Sequence, residues 1–197
     1  MTLVQRAARA SLWAGIGVLA GRGTAVASDA AVLAFTPDGK AKLPADYRSW
    51  PFLTSGLDMS YQQPSGPADM HMLDNVFVSP AALRAFQGSG HWPEGTVLVK
   101  EDRPAQNKGS INKAGFFQAE VVEAVELHVK DSARFKGGWG FFSFSDNKPA
   151  AVVSYDANCY TCHAAHGATE TTFVQFYPTL APIARAHGTF NLQEDAR

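Results

Sequence analysis

Thr96-Val-Leu-Val-Lys-Glu101 is a run of β-branched and apolar residues directly after the turn Pro93-Glu-Gly95, and it reads as a strand. Alternation puts Thr96, Leu98 and Lys100 on one face and Val97 and Val99 on the other. Outward from it, residues 116–129 alternate well enough for a strand or a bent pair, and Trp139-Gly-Phe-Phe-Ser-Phe144 is a third, aromatic strand. Upstream, Asn75-Val-Phe-Val78 is a short strand, and Ser79-Pro80 opens a predicted helix over 81–86, with Ser79 as its cap and Pro80 in its first turn. Helical patterns follow over 159–167 and 173–187, the second interrupted near Pro178 and Pro182. Turn-forming residues mark loops at Pro37-Asp-Gly-Lys40, Tyr61-Gln-Gln-Pro-Ser-Gly-Pro-Ala68 and Asn107-Lys-Gly-Ser110. The fold class predicted is α+β: a mostly antiparallel sheet with a few helices and no internal domain boundary.

The composition agrees with one globular unit. Of 197 residues, 46% are hydrophobic and 18% charged, far from a disordered chain. A formal net charge of −1 excludes a nucleic-acid binder that works through a basic face. Residues 1–27 have the layout of a secretory signal peptide: Arg6 and Arg9, the apolar run Leu12-Trp-Ala-Gly-Ile-Gly-Val-Leu-Ala20, then Ala25-Val-Ala27. That run is shorter than the roughly 20 residues needed to span a bilayer, and no later segment qualifies. Cleavage after Ala27 removes three arginines and no acid, which takes the formal charge from −1 to −4. The expectation is an acidic, exported domain over 28–197.

Its two cysteines are too few for a disulfide framework. Both lie in Asn158-Cys-Tyr-Thr-Cys-His163, which contains C-x-x-C-H, the attachment sequence of c-type haem. Two thiols at this spacing add to the two vinyl groups on one porphyrin edge, and the adjacent imidazole turns to the iron. Cys159 and Cys162 would form the thioethers and His163 the proximal iron ligand. Export and motif support each other, because this haem is attached outside the cytoplasm in bacteria. Three rivals stand beside this reading: a thioredoxin-like pair, which lacks its βαβ setting; a zinc site from Cys159, Cys162, His163 and His166, which lacks two separated arms; and a plain disulfide.

No methionine follows Met72, so a late methionine sixth ligand is absent. An open distal position is the working expectation; Met70, Met72 and His71 are the alternatives that would make a simple electron carrier. His166, three residues after His163, reads as surface or surrounding shell, and His91, His128 and His187 carry no motif. By pattern alone Lys100 is a solvated lysine at a strand end, and Glu126, opposite Val125 and Leu127, is a surface carboxylate.

The chain resembles the cytochrome P-460 family, which includes the β-sheet cytochromes c′. The resemblance rests on Tyr47-Arg-Ser-Trp50, Val76-Phe-Val-Ser-Pro80, Glu94-Gly-Thr-Val-Leu-Val-Lys-Glu101, Val129-Lys-Asp-Ser132, Gly138-Trp-Gly-Phe141, the 159–163 motif and Phe173-Val-Gln-Phe-Tyr-Pro-Thr-Leu180. It implies a mostly antiparallel fold holding one haem c per chain, often as a homodimer. Members divide into enzymes that oxidise hydroxylamine to nitrogen oxides, passing electrons to an acceptor such as another cytochrome, and gas-binding proteins that capture nitric oxide without turnover. In the enzymes a lysine is linked to the porphyrin, and the matching residue is Lys100; a distal carboxylate takes protons, and the residue placed like it is Glu126. Where enzyme-type members can carry an arginine before the Val-Phe-Val strand, this chain has Asp74-Asn75.

Overall fold

The computed structural model describes residues 33–60, 70–146 and 148–195. The predicted leader 1–27 and the loop 61–68 lie outside the described residues. Six strands form an antiparallel sheet: β1 (Phe52–Leu57), β2 (His71–Val78), β3 (Val97–Gln106), β4 (Phe117–Gln118), β5 (Ala124–Lys130) and β6 (Trp139–Phe144). Their order is β1-β2-β3-β5-β6, with β4 paired to the far end of β3. Among the described residues three α-helices, α1 (Pro80–Ser89), α2 (Asn158–His166) and α3 (Ala181–Ala186), complete the predicted α+β fold. Among the described residues no helix is long and apolar enough to cross a membrane.

Side chains alternate between the two faces, and each face has its own cover. On one, Val97 and Val99 of β3, Val125, Leu127 and Val129 of β5, and Phe142 and Phe144 of β6 pack against Leu33, Ala41, Tyr47 and Trp50 of the N-terminal segment. On the other, Val78 and Leu98 join Phe86 of α1, Trp92, Trp139, Val174, Leu180 and Ala184. Burying each large apolar side chain contributes roughly 1.5–3 kcal/mol, so both clusters hold the sheet from either side.

Glu101 interrupts the apolar row of β3 and is 2% exposed. It accepts hydrogen bonds from the Tyr47 hydroxyl, Arg48 Nε at 2.7 Å and Arg103 Nε. A buried carboxylate is tolerated only with such partners, and this one ties the N-terminal segment to the sheet.

Local chemistry accounts for the ends of the elements. Pro80 opens α1, where an amide hydrogen has no helical partner to lose. Gly90 ends it in the left-handed region (φ 71°), its N–H donating to Phe86 O at 2.7 Å; a Cβ there would collide with His187. Ser79 takes the cap position, but its side chain does not cap the helix: Oγ instead accepts from Val97 N–H at 3.4 Å, at the junction of β2 and β3. Of the strand or bent pair read over 116–129 the structure has the pair, β4 and β5, separated where the carbonyls of Ala119 and Glu120 accept from Arg103 Nη1 at 3.0 and 2.8 Å instead of from a neighbouring strand. The predicted helix over 173–187 reduces to a single tight turn, Val174–Phe176, and α3, with Pro182 in the first turn of α3.

Candidate functional site

Strand register gathers the site. Thr54, Val76, Lys100, Glu126 and Ser143 lie opposite one another across β1, β2, β3, β5 and β6; one row along are Val78, Leu98, His128 and Phe141, and on the other side Gly56, Asp74 and Asp102. All point to the face that α2 and residues 173–177 cover in part. Between sheet and cover is a cavity of about 380 Å³ whose lining includes Lys100, Glu126, Asp74, His128 and His163. Phe141, Phe173, Val76 and Leu98 supply apolar wall.

Cys159 and Cys162 stand on α2 as free thiols, Cys159 exposed and Cys162 half-buried. Three residues apart on a helix, they share a face; neither lines the cavity. The disulfide alternative has no bond here, and among the described residues no group of three or more histidines, cysteines and carboxylates is arranged to hold a metal ion, so the zinc alternative finds no ligand cluster.

His163, one helix residue later, faces the cavity. Its ring packs against Phe173 (centroids 4.1 Å apart), Phe141 (4.8 Å) and His128 (4.9 Å). Nδ1 donates to Thr171 O at 2.8 Å, which fixes the tautomer and leaves the lone pair on Nε2, the nitrogen that could bind a metal. Burial lowers its pKa, against the hydrogen bond to Thr171, and so favours the neutral imidazole that binds a metal. Two neighbouring thiols, an oriented neutral imidazole and an aromatic-walled cavity form a donor set that fits a c-type haem.

Lys100 sits mid-strand, because β3 runs on to Gln106, and its side chain is 38% exposed. Nζ lies 2.7 Å from Asp102 Oδ2, 3.5 Å from Asp74 Oδ1 and 3.6 Å from Glu126 Oε2. Burial opposes its charge, but the hydrogen bond to Asp102 and the three negative charges outweigh burial and raise its pKa above the ordinary lysine value. Glu126 is 49% exposed, as its pattern predicts, and it lines the cavity at its edge.

Asp74 behaves differently. Burial, and then the carboxyl of Asp102 directly opposite it, push its pKa up to about 6, against the pull of Lys100. Asp102 Oδ1 is itself buried with no hydrogen-bond partner, a position that a protonated Asp74 would satisfy.

The alternative sixth ligands stand elsewhere. Met70 is exposed, and neither it, Met72 nor His71 lines the cavity; His71 pairs with Asp58 and tilts against Phe116. The methionine that does line it is Met59, packed over Gly56 where a Cβ would strike its sulfur. His166 is exposed, at the cavity's edge, 3.5 Å from Glu194.

Sequence reasoning passed over Asp74 as a site residue, and also Asp102 and His128. A signal existed for two of them: Asp102 is two residues beyond Lys100 on the same strand face, and His128 two beyond Glu126. Asp74 reaches the site through cross-strand register alone.

The sequence matches the family model described as Cytochrome P460 over residues 44–174. No curated protein matches it. The match takes in the strands that carry Asp74, Lys100 and Glu126 and the whole Cys159–His163 motif, and the chain belongs to the cytochrome P460 family, which implies a c-type haem as its cofactor.

Proposed function

We propose that the protein is a periplasmic mono-haem c-type cytochrome that oxidises hydroxylamine to nitrogen oxides. The observation that carries this reading is that His163, Lys100 and Glu126 line one cavity. Cys159 and Cys162 would hold the haem by adding their S–H groups across its vinyl groups, and His163 Nε2 would bind the iron. A haem held there would supply the redox chemistry of the oxidation, with a soluble acceptor such as another cytochrome receiving the electrons. Proton removal falls to this chain's own residues: Glu126 acts as general base, at a cavity edge open enough to pass the proton on to water. The exposed position of Glu126 supports that relay. Lys100 is the residue that modifies the macrocycle. Residues 1–27 direct export and are then cleaved off after Ala27, and the family resemblance favours a homodimer.

The test is hydroxylamine-dependent reduction of an artificial acceptor by the haem-loaded protein. Glu126→Gln is expected to lower turnover about 100-fold, the lower end of general-base contributions, while nitric oxide binding persists. Lys100→Leu is expected to return the haem spectrum to that of an ordinary high-spin c-type haem.

A second reading is a nitric-oxide-binding cytochrome of the β-sheet cytochrome c′ kind. One observation favours it: where enzyme-type members can carry an arginine before the Val-Phe-Val strand, this chain places Asp74, an acid, in the cavity lining. Nitric oxide binding with no turnover under any acceptor would decide for it.

A further inference from the structure

The four residues 169–172 are held more tightly than a surface turn requires. Thr169, Thr171 and Thr172 are all buried. Thr172 N–H donates to Thr169 O at 3.0 Å and Thr169 N–H donates back to Thr172 O at 3.3 Å. Thr172 Oγ1 donates to Thr169 O at 2.7 Å and accepts from Trp92 Nε1 at 2.8 Å.

Between them Glu170 has a left-handed backbone (φ 55°), a conformation that a non-glycine residue keeps only when its surroundings enforce it. Both of its carboxylate oxygens are anchored. Oε1 accepts from Trp92 N–H at 3.1 Å, and Oε2 from Lys130 Nζ at 2.8 Å, which also donates to Trp92 O at 2.7 Å.

The third anchor is His128. Its ring is buried in the sheet face, stacked on Phe141 at 4.1 Å and tilted against Trp139 at 4.4 Å. Its Nε2 hydrogen-bonds Thr171 Oγ1 at 3.1 Å. The same Thr171 presents the carbonyl that accepts from His163 Nδ1, and the His128 ring stands nearly perpendicular to the His163 ring, at 75°. Trp92, Lys130 and His128 therefore tie down the short turn whose one carbonyl, that of Thr171, accepts from His163, and His128 also packs edge-on against the His163 ring.

We propose that the 169–172 turn is a preformed cradle for the proximal ligand, and that His128 and Glu170 are positioning residues that act through Thr171 to set the bond between His163 and the iron. The inference rests on the haem reading of His163. A fixed acceptor on Nδ1 gives the imidazole more anionic character, which strengthens its bond to iron and favours the oxidised metal. Loosening the cradle weakens both effects.

The experiment uses the exported, haem-loaded chain and reads two properties that a merely structural residue would not move: the iron–histidine stretch of the ferrous protein by resonance Raman, and the haem reduction potential. His128→Phe keeps a ring between Phe141 and Trp139 and removes the bond to Thr171. Thr171→Val removes the same bond from the other side with the side-chain shape kept. Both are expected to shift the stretch to lower frequency and the potential upward, and His128→Gln, whose amide can reach the Thr171 hydroxyl, to restore both in part. If His128→Phe fails to fold, Thr171→Val decides. Haem in place with stretch and potential unchanged in the variants overturns this inference alone. A wild-type protein without covalent haem overturns the haem reading and the inference together.

Discussion

Raising the pH through the range just above the ordinary aspartate value should take stability away from the folded chain through Asp74, and Asp74→Asn should remove that loss. The carboxyl titrates near 3.8 when free and at about 6 in the fold, because burial and the facing Asp102 disfavour its charge more than Lys100 favours it. Between those two values the folded chain holds a proton that the unfolded chain has released, so stability falls as pH rises. The contribution is fully present below the free value and is gone above about 6. At about 1.4 kcal/mol for each pH unit between the two values, the effect is on the order of 3 kcal/mol. Other shifted carboxylates in the chain, Glu101, Asp58, Asp38 and Glu94, are lowered from their free values, so they act in a more acidic window and with the opposite sign. The assay is urea denaturation of the wild-type protein and of Asp74→Asn at constant salt, stepped from the ordinary carboxylate range to neutrality. The wild-type stability, measured relative to the variant, should fall by that amount across the window. A difference that stays flat with pH would refute the claim that Asp74 carries a proton in the folded cavity.

Three further outcomes follow from the packing. Glu101→Gln leaves Arg48 and Arg103 facing a neutral amide on a buried position; because Arg48 is half exposed, a loss of roughly 3 kcal/mol is expected, the low end for a broken buried pair, read from the urea midpoint. Phe86→Ala opens a cavity between α1 and Trp92, whose ring centroid is 4.2 Å away, and should cost about 3–5 kcal/mol, whereas Phe52→Ala at the exposed edge of the sheet should change the melting temperature little.

Much of the sheet can be read from alternation, since β3, β5 and β6 are strongly periodic runs between turn residues. β1 escapes that reading because Phe52-Leu-Thr-Ser-Gly-Leu57 mixes small and polar residues after Pro51, and its register shifts between Phe52 and Thr54. β3 reaches past Glu101 although Pro104 lies in it: Pro104 has no N–H to give, and its carbonyl accepts from Ala119 N–H at 2.8 Å. The faces of Lys100 and Glu126 are correct from pattern alone. What the pattern lacks is the cover, for whether a strand face looks at water or at a cavity depends on where α2 and residues 173–177 cross it. The same limit applies to His128, which is apolar in its surroundings and silent as a motif, and to Asp74, which meets Lys100 only because β2 pairs with β3 in this register.

The central claim is that Lys100 and the Cys159–His163 motif share one haem in the cavity. Peptide mass spectrometry of the purified, exported protein tests it most directly, paired with the optical spectrum of its ferrous form. The account predicts a haem-bearing 159–163 peptide joined through the porphyrin to the peptide that holds Lys100, with a strongly red-shifted Soret band. A haem peptide separate from an unmodified Lys100 peptide, with an ordinary high-spin spectrum, would contradict it.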